Sequence, residues 1–266
     1  MATPAPSPTN VQLGRGSIFF DRRTTADNTV GSFHLGNCDN LAWNTATEQL
    51  DLKDYTQQSS SPYTSVVTST DIKFTISGFE FSKENWLLAT LGDESSYTQS
   101  ASTATGEVLA SATVTNLAGK YFFLDFKKVS SVVLKQGATT FVLDTDYELY
   151  DADRGIVRIL TTGSIADGVA LTADYSYAAI STGLTRIFGG VNTGIEGRLR
   201  FVSNNATGTN YDLDVYNAKL VPNGDITLIS DEFNKFTLEG TAQSDASGTY
   251  GGSASSPYYE LIEKPA

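Results

Sequence analysis

Cysteine is almost absent from this 266-residue chain: Cys38 stands alone, so no intramolecular disulfide braces the fold and its stability rests on its core. A lone thiol of this kind reads as a small buried side chain. Histidine is equally scarce. His34, between Phe33 and Leu35 in a strand-like stretch, reads as a structural residue, and no Ser-His-Asp relay can be assembled around it. Nowhere do about 18 apolar residues run together, and the opening MATPAPSPTN has neither the basic nor the apolar region of a secretion signal. The expectation is a soluble product of the cytoplasm in which it is made, with a flexible N-terminal arm. Positive charge is short as well, 18 Lys and Arg against 30 Asp and Glu for a net charge of -12. Such a field repels nucleic acid and anionic lipid, which argues against a sequence-reading DNA binder.

What the chain does have is 13 Tyr, 14 Phe, 23 Gly and abundant Ser and Thr, with only 18% charged residues, a composition suited to half-buried pleated surfaces. The length favours two domains of modest size. VQLGRGSIFFDR and SFHLGNC read as short antiparallel strands around a turn at 27–31, and DNLAWNTATEQLDL with SPYTSVVTSTDIKFTISGF reads as a long hairpin. Its polar tip, residues 51–62, is long for a simple connection and reads as a contact loop. One good helix signal follows in SKENWLLATLGD: Ser82 caps, Glu84 sits in the first turn, Gly92 stops, and Trp86, Leu87 and Leu91 form the apolar face. ESSYTQSASTATGE has linker composition. From Val108 to Ala179 several short strands punctuated by glycine predict a small sandwich of immunoglobulin-like type. EGRLRFVSNNATGTNYDLDVYNAKL then reads as a hairpin with loop NNATGTN, GDITLIS and KFTLEGTAQ as strands, and the tail from Ser244 as irregular.

The stretch DTDYELYDADRG concentrates five carboxylates, Asp144, Asp146, Glu148, Asp151 and Asp153, in twelve positions. A calcium loop of the EF-hand type fails in both registers: position 6 is Leu149 when counted from Asp144, and position 12 is Thr162 when counted from Asp151. Strand alternation predicts instead that Phe141, Leu143, Tyr147 and Leu149 face inward while Asp144, Asp146 and Glu148 are solvated, with a turn at Asp151–Gly155. The remaining acids are too scattered to name a glycosidase pair. The glycines of GRG and GLTRIFGGVNTG lack phosphate-loop or dinucleotide spacing and read as bends or close backbone approaches.

VQLGRGSIFFDR followed by FHLGNC, the long-tipped hairpin from Leu41 to Ile76 and the lone helix SKENWLLATLG together resemble the tail tube, or major tail, proteins of long-tailed bacteriophages. TFVLDTDYELYDADRGIVRIL resembles the immunoglobulin-like segment inserted in some of them, and AKLVPNGDITLISDEFNKFTLEGTA resembles their closing strands. The resemblance implies a mostly β fold: a tail-tube β-sandwich or barrel with one short helix, in two parts (1–93 and 184–266), around an inserted immunoglobulin-like β-sandwich (94–183).

It also implies a structural virion protein located in the tail and assembled in the host cytoplasm. Hexameric rings of one chain would stack into a hollow tube, the conduit for DNA ejection. The partners implied are further copies of the chain, the tape measure, the tail initiator and terminator, and genomic DNA that passes without specific binding. No membrane, catalytic residue, metal or cofactor is implied. On this reading Asp54, Tyr55, Gln57, Gln58 and Tyr63 form the inter-ring contact loop. Asp212 and Asp214 on one strand, with Glu196, Arg198 and Arg200 on its partner, are the candidates for the lumen, some acids being neutralised by cross-strand pairs. The rival is a surface adhesin or carbohydrate-binding module, suggested by the immunoglobulin-like segment and by exposed tyrosines at Tyr250, Tyr258 and Tyr259.

Overall fold

The structure, a computed structural model, describes residues 11–23, 31–56 and 61–264. The expected turn at 27–31 and the N-terminal arm lie mostly outside them. In chain order the elements are β1 (Gly16–Arg22), β2 (Phe33–His34), β3 (Cys38–Lys53), β4 (Pro62–Gly78), α1 (Lys83–Thr90), β5 (Asp93–Gln99), β6 (Ser102–Ala110), β7 (Tyr121–Phe123) and β8 (Val129–Gln136). There follow β9 (Thr139–Thr140), β10 (Tyr147–Asp151), β11 (Ile156–Ile159), β12 (Leu171–Tyr177), β13 (Ile180–Phe188), β14 (Ile195–Ser203), β15 (Tyr211–Pro222), β16 (Phe236–Ala242) and β17 (Tyr259–Glu263). The fold is thus mostly β, with antiparallel sheets and 53% of residues in strands.

Two compact units emerge, Ser95–Arg186 and the rest of the chain; β5 and β13, in which the chain passes between them, pair as a two-stranded sheet. ESSYTQSAS is therefore no linker but strand: Ser and Thr tolerate the pleat as readily as a loop, and composition does not separate the two. The larger unit is built on one sheet in the order β2-β1-β14-β15-β16-β4-β3, with β17 pairing the N-terminal half of β15. Alternation along each strand sends Ile18, Phe20, Leu199, Val215, Leu220, Leu238, Phe74 and Ile76 into one core, which α1 closes with Leu88 and Ala89. β17 lies in the tail expected to be irregular. Tyr259, Leu261 and Glu263 alternate there with Glu260 and Ile262, a five-residue period too short to stand out from the Ser/Gly-rich run before it.

Helix α1, the sole helix among the described residues, begins as expected: Ser82 Oγ accepts from the Asn85 N–H at 3.1 Å. Its inward face is Asn85, Leu87, Leu88 and Ala89, whereas Trp86 flanks it against Phe81 and Leu91 is half-buried. Asn85 is wholly buried and ties the helix to the sheet, Nδ2 donating at 2.8 Å to the carbonyls of Leu35 and Glu80. Leu91, not Gly92, takes the left-handed conformation (φ 51°). Gly92 is required for a different reason: a Cβ there would lie 2.8 Å from Ile187 Cγ2. GDITLIS also departs from expectation. Residues 223–235 form an extended loop without strand pairing, because β15 and β16 already bond each other on the edges it would need.

The smaller unit packs two antiparallel sheets, β6-β12-β8-β9 and β10-β11-β7, around one core of Leu117, Leu134, Tyr147, Val157, Ile159 and Leu171.

Cys38 opens β3 half-buried beside Phe236 and Gly78. Burial, with the Asp39 and Glu80 carboxylates adding, pushes its thiol up to about 11 from 9.0. The thiolate fraction at pH 8 is thereby cut roughly 100-fold. Alkylation by iodoacetamide followed by mass spectrometry is expected to be slower by that factor in the folded protein than in urea, and to gain about tenfold per pH unit. Equal rates in the two states would show an exposed, ordinary thiol.

Candidate assembly surfaces

Three features of the larger unit bear on what the chain does. The first is the β3/β4 hairpin. β4 bonds β16 only from Lys73 to Gly78, so from Ile72 outward to Pro62 its sole strand partner is β3. An arm about 35 Å long results. Leu50 and Val66 face each other across it, both exposed, with Leu52 and Val67 beside them. At the tip Tyr55 is 79% and Tyr63 72% exposed. Asp54 shapes the turn, its carboxylate accepting from the Thr56 hydroxyl at 2.5 Å and the Thr56 N–H at 2.8 Å, bonds that hold its pKa below the usual range. Tyr63 is an extra residue in the β4 ladder, where the register shifts between Leu52 and Lys53. Gln57 and Gln58 lie outside the described residues.

The second feature is the face of the sheet turned away from the core. Register places Arg200 opposite Asp214, and the irregularity between Gly197 and Leu199 brings Arg198 alongside. Arg198 Nε and Nη2 grip the two Asp214 oxygens at 2.7 and 2.6 Å, and Arg200 Nε reaches Oδ2 at 3.2 Å. Hydrogen bonding to Asp214 raises the Arg198 pKa against the opposing effect of burial. The structure thus brings together three of the five residues named for this face. Asp212 flanks them, accepting from the Ser203 N–H at 3.3 Å, and Glu196 lies across from Lys219. Sequence reading missed Asp21, opposite Arg198, and Glu260, opposite Asp214. Both alternate outward on their strands, but strand order, which puts them here, is not written in local pattern.

Over this face runs the segment between β16 and β17. Tyr250 lies under the Arg23 guanidinium, 3.3 Å from the ring centroid, while Tyr258 and Tyr259 pack against the core. These tyrosines are half-buried, so the exposed aromatic site expected of them is absent. Asp245 organises the segment, its Oδ2 accepting from the N–H groups of Tyr250 and Gly252 at 2.7 and 2.9 Å. Burial raises its pKa, but the N–H donors of Gly252, Tyr250 and Thr249 together outweigh that and hold it below the ordinary value. With the folded pKa depressed, this contribution is fully present above the unfolded carboxylate pKa of about 3.9 and is lost as pH falls through the lower folded value. Asp245→Ala is expected to speed amide exchange at Tyr250 and Gly252 at least about tenfold at neutral pH. Exchange unchanged by the substitution would show that the segment is held otherwise.

The third feature is the loop 223–235, where Ile229 is 95% and Phe233 92% exposed. Leu228, 72% exposed, adds to the apolar surface of this loop.

The acid-rich stretch 144–153 is a structural device. Asp144 has φ 63° in a turn, and Asp146, expected to be solvated, is buried: Oδ2 accepts from the Val142 N–H and Oδ1 from the Ser164 N–H and hydroxyl, each at 2.8 Å. These bonds hold its pKa below the usual range. The strand starts only at Tyr147, so the alternation counted back through Asp144 does not apply, and Leu143 is exposed. Glu148 pairs with Arg158 across the strands, and Asp151 accepts from the Arg154 N–H at 3.0 Å to set the turn to Gly155 (φ 71°). His34 is exposed, its ring edge-on to Phe19 and its Nδ1 accepting from the Gly36 N–H at 2.8 Å. No three His, Cys, Asp or Glu side chains among the described residues are grouped to hold a metal, and no helix there is long and apolar enough to cross a membrane.

Residues 11–261 match a protein family described as "Protein of unknown function UCP028589". No curated protein matches the chain.

Proposed function

This chain belongs to the family UCP028589, whose description assigns no activity, and on that premise we propose that it is the tube-forming structural subunit of a long-tailed bacteriophage tail. Hexameric rings of the chain stack into a hollow conduit for DNA, with the smaller unit an immunoglobulin-like insertion. The observation that carries this reading is the form of the main sheet. It ends at one side in the two-residue β2 and at the other in β3, whose 16 residues have one edge unpaired among the described residues. A free edge of that length is a hazard in a monomer and a joint in a ring, where each copy's open end meets the next copy's other end. The arm supplies a contact along the tube axis, and Ile229 and Phe233 supply apolar surface for a neighbour to cover. On the outward face Arg198, Arg200 and Lys219 each stand against a carboxylate, of Asp214 or Glu196, so that few cations are left free to hold phosphates, which suits a lumen through which DNA slides without sticking.

Negative-stain microscopy of the purified protein tests this. Rings with an open centre, or tubes, are expected. Monomers that persist at high concentration and form no tubes with a tail initiator present would overturn it.

A further inference from the structure

The sheet β10-β11-β7 of the smaller unit has one face in the core and one in water, and the watery face is unusually aromatic. Cross-strand register sets Tyr121 beside Arg158 and Phe123 beside Ile156, with Glu148 on the far side of Arg158. Tyr150 sits at the irregularity of β10 and leans back across the sheet, its ring meeting that of Tyr121 edge-on at 5.1 Å. Phe123 is 71% exposed and Tyr121 and Tyr150 are about half exposed. Between them Arg158 Nη1 donates to Glu148 at 3.1 Å, the guanidinium lies 5.5 Å from the Tyr121 ring, and its Nε is buried with no hydrogen-bond partner.

We propose that this face is a saccharide-binding site, Phe123, Tyr121 and Tyr150 stacking against the C–H faces of pyranose rings while Arg158 and Glu148 bond their hydroxyls. The occupant follows from what the face needs covered. A purely apolar partner would strip water from the Arg158–Glu148 pair and return no hydrogen bonds. A sugar returns them, and its hydroxyls serve both as acceptors for the guanidinium and donors to the carboxylate. Nucleic acid offers rings to stack but is repelled by a chain of net charge -12. A second copy of the chain requires about 800 Å² per partner. The exposed parts of three aromatic side chains amount to roughly 350 Å².

This inference does not depend on tube assembly, and its test reads a different quantity. The full-length protein is run through native gels containing, in turn, soluble peptidoglycan glycan strands, a chitin-type oligosaccharide polymer, an α-glucan and a galactomannan. Retardation by at least one is expected. Phe123→Ala and Tyr150→Ala, both at exposed positions and checked by circular dichroism, are each expected to weaken it at least about fivefold. Val108→Ala, an exposed apolar residue on the other sheet, is expected to change nothing. Saturation-transfer NMR on the unmutated protein gives a second readout, with sugar C–H protons receiving the transfer from aromatic protons. No retardation in any of the four gels overturns the proposal, as does retardation that survives both aromatic substitutions or is lost equally in Val108→Ala.

Discussion

Removal of residues 52–61 is expected to leave a folded protein that no longer stacks into tubes. The two halves of that result have separate causes. Folding survives because the distal arm contributes nothing to the core: Leu50, Leu52, Tyr55 and Tyr63 are exposed, and the buried side chains of this hairpin, Ile72, Phe74 and Ile76, lie at the other end. The melting temperature is expected to stay within about 2 °C of the parent, since surface changes rarely exceed about 0.5 kcal/mol. Stacking is expected to fail because the deletion removes Tyr55, 79% exposed, and the turn that Asp54 shapes beside it. Circular dichroism measures the first half, and negative-stain microscopy with sedimentation measures the second. Normal tubes from the deleted protein would remove the arm from the inter-ring contact while leaving ring formation open to its own test.

Gly240→Val is expected to cost the larger unit about 3 kcal/mol, the upper end for overpacking, and about 6–12 °C in melting temperature. Gly240 pairs with Phe74 between β16 and β4, and a Cβ built there lies 1.8 Å from Phe74 Cε2, a severe clash with the ring edge. Phe74 is itself buried in the core, and the cavity that it lines with Leu41, Trp43 and Leu199, about 10 Å³, is too small for the ring to swing into. Valine favours strands locally, so the loss isolates the steric clash. Combining Gly240→Ala with Phe74→Leu is expected to recover part of it. Gly14→Ala, where a Cβ meets nothing within 4 Å, is the control and is expected to be neutral. A melting temperature for Gly240→Val equal to that of the control would mean that β16 and β4 are not packed as described.

Local chemistry was legible in the sequence wherever the determinant sits within a few residues. Ser82 at the helix start, the long hairpin and the turn to Gly155 are of this kind, since each needs only a hydroxyl, an alternation or a backbone free to take positive φ. Illegible were the features decided by a partner far along the chain. Asp146 reads as a solvated strand residue until Ser164 and Val142 close on it. GDITLIS has the pattern of a strand but lies between β15 and β16, which bond each other and leave it no edge there, while ESSYTQS has the pattern of a linker but finds a partner in β13. On the outward face, the pairing of Asp214 with arginines of the partner strand followed from alternation, but Asp21 and Glu260 needed the strand order.

The irregular register of the arm has a consequence for solubility. Thr68 and Tyr63 are extra residues on β4, opposite β3 pairs that continue without interruption at Glu48–Gln49 and Leu52–Lys53. Each such insertion sharpens the local coil of the ribbon. Cross-β growth requires strands that lie flat enough to add copies indefinitely at constant spacing. A ribbon coiled at two points offers no such flat run along its free edge, so only a surface with matching curvature follows it from base to tip. The same insertions thus work against fibril growth from an edge that is otherwise long and unpaired among the described residues.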